Sequence, residues 1–125
     1  EYKNHKIGIA TDLGIATNLV KEHLKNSNIL YLESNHDPEM LINGPYPWHL
    51  KQRIKGRTGH LSNLDAGSLI SELKTDNLKH VILAHLSEEN NCPQKAVQEI
   101  LKNLNGSNVT LHVAGPDEVG KLIKL

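Results

Sequence analysis

Phenylalanine is absent from this 125-residue sequence, and three tyrosines and one tryptophan are its only aromatic residues. A core anchored on aromatic rings is therefore excluded, and the interior has to be aliphatic. A single cysteine, Cys92, excludes an intramolecular disulfide and a cysteine-rich zinc framework, and it fits a reducing cytoplasm. No apolar run approaches the roughly 18–20 residues of a membrane span, and no signal-peptide pattern opens the chain. Charge of one sign is missing too, because 14 basic residues balance 14 acidic ones. A chain that holds nucleic acid by bulk electrostatics is normally basic, so any such contact has to be local. The length suits one small domain, residues 1–125. There is no initiator methionine, and Glu1 stands just ahead of a strand-like run, so a fragment or processed product is expected.

Histidine, by contrast, is plentiful, with eight in the chain. It is the commonest metal ligand and the usual acid–base group near neutral pH. Its placement depends on the elements that carry it. Lys6–Thr11, Asn28–Glu33, His80–Ala84 and Val109–Val113 are short apolar runs with polar boundaries, which predicts strands, and Val119–Leu125 is a candidate for a short last one. Thr17 can cap a helix carrying Leu19, Val20, His23 and Leu24 on one face. Asp37-Pro38 starts a helical turn that Asn43-Gly44-Pro45 breaks, and a basic helix is expected from Pro47 to about Lys55. Ser62 with Asp65 resembles a capping box ahead of the stripe Ala66, Leu69, Ile70, Leu73. Pro93 suits the first position of a helix carrying Ala96, Val97, Ile100, Leu101 and Leu104. Strands alternating with helices predict an α/β sheet with helices packed on it.

In such sheets ligands gather outside the carboxyl ends of the strands. The first strand ends on Thr11-Asp12, the second on Glu33-Ser34-Asn35-His36-Asp37, and the third on His85 and the polar run to Asn91. Carboxylate with imidazole suits zinc, manganese or iron. Taken singly, Asp12 could cap a turn and His85 could be a satisfied, half-buried histidine. Their joint occurrence favours ligands. Gly59-His60-Leu61-Ser62-Asn63 places His60 and Ser62 at a helix start, where unpaired N–H groups favour an anion. The run Lys51, Arg53, Lys55, Arg57 is either a solvated helix face or a phosphate contact. Structural roles are expected for His5, His23, His80 and His112, and a helix-cap position for Cys92.

Five segments in order, Ile9–Gly14, Glu33–Asp37, Asn43–Pro47, Gly59–Asn63 and Leu83–Asn91, together resemble the metallo-β-lactamase fold superfamily. More narrowly they are similar to its bacterial YycJ/WalJ-like branch, associated with cell-wall regulation and exonuclease activity. The resemblance implies the C-terminal half of an αββα sandwich, a mixed sheet with helices on one face, and a dinuclear site between two halves. It implies Asp12 as the carboxylate bridging two divalent ions, zinc or manganese, and His85 as the last histidine ligand. The remaining ligands would lie on an N-terminal half, because the sequence holds no His-x-His. The implied activity is phosphodiesterase or exonuclease hydrolysis of nucleic acid. His36 or His60 would protonate the leaving oxygen or hold a phosphate. Asn35, Arg53, Ser62, Asn63 and Ser87 would contact substrate. Another hydrolase of the superfamily, acting on a cyclic phosphate or thioester, and a non-catalytic binding module are the alternatives. A chain of this kind is expected to be cytoplasmic, free of membrane, and inactive alone. It should also expose apolar sheet surface that recruits the other half or self-associates.

Overall fold

A computed structural model describes residues 2–125, and Glu1 lies outside the described residues. The elements run β1 (Ile7–Ala10), α1 (Asn18–Leu24), β2 (Ile29–Glu33), α2 (Pro38–Asn43), α3 (Trp48–Lys55), α4 (Asn63–Leu73), β3 (His80–Ala84), α5 (Pro93–Leu101) and β4 (Thr110–Val113). Local chemistry sets the helix starts. Thr17, Asp37 and Ser62 each accept a backbone N–H three residues on, at 3.3, 2.9 and 3.0 Å, which satisfies donors that a helix leaves unpaired. Cys92 holds the N-cap position of α5 without a side-chain bond, and Asn91 Oδ1 accepts the Cys92 N–H instead, at 2.9 Å.

The four strands lie in the order β1-β2-β3-β4, all parallel, with Ile7 beside Ile29, Ile29 beside His80 and His80 beside Thr110. Every connection passes through at least one helix, and successive strands are added in one direction. The right-handed rule for such crossovers then puts their helices on a single face. Burial agrees with this. Ala10, Leu30, Leu32, Val81 and Leu83 point into a core with Leu24 of α1, Ala66, Leu69, Ile70 and Leu73 of α4, and Ala96 and Ile100 of α5. The α/β architecture with helices on one face is as expected. All four strands described are parallel, so the mixed sheet that the resemblance implies is not seen among the described residues, and Val119–Leu125 forms no strand. Pro116 has no N–H to continue a ladder, and residues 119–123 instead border a shallow apolar trough with Ile9, Tyr31 and Ile82.

That trough belongs to the other, uncovered face. Ile7 and Ile9 stay 58% and 68% exposed there. His80 and His112 meet on the same side, Nδ1 to Nε2 at 3.0 Å, with rings tilted by 39°. Burial, His80 and then Lys121 hold the His112 imidazole below its ordinary value. Among the described residues no helix is long and apolar enough to cross a membrane.

Candidate metal centre

Three adjacent strands deliver polar side chains to one edge of the sheet, as parallel α/β sheets do at their carboxyl ends. Asp12 follows β1, Glu33 ends β2, and His85 follows β3. The chain turns sharply at both outer positions. Asp12 and His85 have φ of +58° and +54°, the left-handed region that residues with a Cβ seldom occupy. His60 arrives from the loop between α3 and α4. Close backbone contact fixes that loop against the end of β1. A Cβ on Gly14 would lie 2.0 Å from the Gly56 carbonyl oxygen, so only glycine permits the approach.

The side chains converge. His60 Nδ1 lies 2.7 Å from Glu33 Oε1 and 3.6 Å from Asp12 Oδ1. His85 Nδ1 lies 3.7 Å from Glu33 Oε1 and 3.8 Å from Asp12 Oδ1. Ligand atoms of Asp12, Glu33 and His60 all fall within 4.8 Å of one another, a group able to hold a metal ion. Glu33 is 0% exposed, and its other oxygen accepts the Leu13 N–H at 3.3 Å. No lysine or arginine pairs with it among the described residues, so it faces two histidines and the Asp12 carboxylate. A buried carboxylate in that setting suits a cation.

Glu33 is the residue that sequence reasoning did not single out. The available sign was a carboxylate closing an apolar strand between two strands that also end on ligand-type residues. Its partner lies 27 positions away, across α2 and α3, and that pairing has no periodicity to betray it.

The other expected residues divide. Asn35, Arg53, His60 and Ser87 line one cleft of about 400 Å³ beside the cluster. Asn35 also clamps the β3 loop, its Nδ2 donating to the His85 carbonyl at 2.9 Å and its own carbonyl accepting the Ser87 N–H at 2.8 Å. Asn63 is placed otherwise than expected. It is 1% exposed, and its amide exchanges hydrogen bonds with Asn91 at 2.8 and 2.9 Å while Ser34 Oγ donates to it at 2.6 Å. That side chain ties α4 to the start of α5 and is buried away from any substrate. Ser62 is likewise buried, with its hydroxyl capping α4. His36 is 3% exposed, and burial above all pushes its imidazole below the ordinary value, with His60 and Lys55 adding to the shift and Asp65 and Asp37 opposing it. Lys51 leaves the basic run, because it is buried with Nζ donating to the Ile42 carbonyl at 2.6 Å.

Fold and cluster together define a parallel α/β unit with a carboxylate–imidazole group at the carboxyl edge of its sheet. Comparison with known proteins gives the particular family. The chain is 43% identical over 93 residues to exodeoxyribonuclease YycJ of Bacillus anthracis, a match covering 74% of this chain and 35% of that protein. It is 35% identical over 96 residues to exodeoxyribonuclease WalJ of Streptococcus pneumoniae serotype 2 strain D39, covering 77% and 36%. No family model matches. The resemblance carried by the five segments therefore holds: over three quarters of its length the chain is homologous to the YycJ/WalJ family. It spans about a third of the length of these curated relatives.

Proposed function

We propose that this chain supplies one side of the active site of a metal-dependent exonuclease that hydrolyses DNA in the cytoplasm. On this reading it is the C-terminal half of a two-part αββα domain whose other half completes the site. The observation that carries the reading is the convergence of Asp12, Glu33, His60 and His85 at one sheet edge. The names of the relatives supply the substrate, and the uncovered sheet face supports the second half.

The donor set suits divalent zinc or manganese. Asp12 and His85 are the proposed ligands, Asp12 bridging two ions, with Glu33 the nearest further carboxylate. Such ions polarise a phosphoryl group and lower the pKa of attacking water. The chain's own residues do the rest. Glu33 Oε1 accepts a hydrogen bond from His60 Nδ1–H, which fixes the ring and aims Nε2 outward, so that the imidazolium form can give its Nε2 proton to a leaving oxygen. His60 suits that role better than His36, which is buried and whose imidazole is held below its ordinary value by that burial. Arg53, Asn35 and Ser87 hold phosphate in the adjoining cleft.

The test is the intact protein compared with Asp12→Ala, by elemental metal analysis and by nucleotide release from DNA. The variant should lose metal and at least about a thousandfold in rate, the range in which an essential catalytic group acts. A variant that kept both its metal and its turnover would overturn the proposal, as would a fully metallated wild type that releases no nucleotide.

A further inference from the structure

Charge balances over the whole chain but not along it. No carboxylate occurs between Glu39 and Asp65, whereas Lys51, Arg53, Lys55 and Arg57 alternate through the middle of that stretch. Lys51 is buried, but Arg53, Lys55 and Arg57 are exposed. None of these three has an ion pair among the described residues, whereas Lys25 pairs with Glu22 at 2.6 Å and Lys102 with Glu99 at 2.8 Å. The free cations open onto two clefts that share the segment 53–61. Arg53 lines the cleft of about 400 Å³ together with His60. Lys55 and Arg57 line another of about 310 Å³, with Leu61 and Leu69 as buried floor and α1 and α4 as walls. Glu72 in that second cleft is already paired with Lys21 at 2.8 Å, which leaves two cations against one carboxylate, Asp65.

We propose that a DNA strand held at the metal centre continues from the Arg53 cleft over the loop between α3 and α4, with its outer phosphates on Lys55 and Arg57. This rests on the nuclease reading above. The loop is suited to the task because it is fixed. His60 N–H donates to the Ile54 carbonyl at 2.9 Å and Gly59 N–H to the Gly56 carbonyl at 3.0 Å, and a Cβ on Gly59 would overlap the Arg53 and Ile54 carbonyl oxygens. One rigid turn therefore carries both the outer cations and His60. Its second cleft lies on the helix side of the sheet, whose walls are α1 and α4. That side is outermost in a two-part αββα domain, so a half that takes the opposite sheet face leaves it open. Contacts to phosphate carry no sequence information, and the track accepts any strand. An electrically neutral chain gains in this way the local basic surface that a polyanion needs.

The experiment compares the intact, metal-loaded protein with its Lys55→Gln/Arg57→Gln variant on two substrates, a dinucleotide and a single strand of about 12 nucleotides. The variant should lose about tenfold in kcat/KM on the long strand at about 50 mM salt. Its logarithmic salt dependence should be shallower by about 0.7 for each cation removed. The dinucleotide is too short to reach the second cleft, so its kcat/KM should stay unchanged, which also shows that the variant is folded. Lys55→Arg/Arg57→Lys keeps both charges and should retain the wild-type slope. Lys95→Gln removes an exposed charge from α5 and should leave the slope alone. An unchanged slope in the double glutamine variant, an equal loss on the dinucleotide, or an equal effect of Lys95→Gln would overturn the inference. Fluorescence anisotropy with the labelled long strand in chelator measures binding without cleavage. The same charge-dependent slope there, in a protein that releases no nucleotide when metal is restored, would support the track while overturning the nuclease reading.

Discussion

One face of the sheet carries Leu30, Leu32, Val81 and Leu83 into a core closed by three helices, whereas the opposite face leaves Ile9 68% exposed and a histidine pair half-covered. Both faces are built by the same strands, residue by alternate residue. The difference follows from the order of the connections, since crossovers that all advance in one direction cover a single side. Glu33 belongs to the uncovered side, two residues beyond Tyr31, yet it is sealed by Leu13 and His60. Folding energy is therefore concentrated on one side of the sheet. The groups available for chemistry and for further contacts lie on the other side and along its carboxyl edge.

That division is open to attack at several points. Glu33→Gln in the intact protein should slow nucleotide release about a thousandfold, while the unfolding free energy changes by less than about 1 kcal/mol. If stability and turnover fell together, Glu33 would belong with the packed face. Leu83→Ala should cost about 3 kcal/mol in denaturant unfolding because the cavity is enclosed by helices, with metal bound per folded molecule unchanged. Asn63→Ala should cost about 2 kcal/mol by stranding the Asn91 amide, and KM for DNA should not move. A raised KM at unaltered stability would return Asn63 to the substrate.

Acid should act through the histidines whose imidazoles are held below their ordinary value. His36 and His112 both titrate below the ordinary imidazole value of about 6.5, so the unfolded chain binds more protons than the native one. Stability is then complete above about pH 6.5 and is lost as pH falls through the lowered native values. Replacing both residues with glutamine should flatten that slope in urea titrations, and an unchanged slope would assign it elsewhere. The smallest effect is expected at Ile9→Thr, under about 0.5 kcal/mol on unfolding. The same change should reduce self-association of the isolated chain in sedimentation, and a chain that is monomeric with either residue would show that the apolar face recruits no copy of itself.

Much of this is legible in the sequence. Helix starts at Thr17, Asp37, Ser62 and Pro93 announce themselves through capping chemistry, and the strand ends at Asp12 and His85 follow from apolar runs stopped by polar residues. What stayed hidden was long-range or directional. The Glu33–His60 contact depends on how two short helices fold back. Asn63 stands at a helix start, where exposure is the usual outcome, but its loop partners enclose it. Val119–Leu125 has strand-like composition, and composition does not reveal that no edge will receive it.

The left-handed backbone at Asp12 and His85 has a consequence for anyone engineering this scaffold. Each carries a conformational penalty of about 1 kcal/mol that glycine would remove. A library screened for heat resistance alone should therefore enrich glycine at 12 and 85, yielding hardier proteins stripped of both proposed metal ligands.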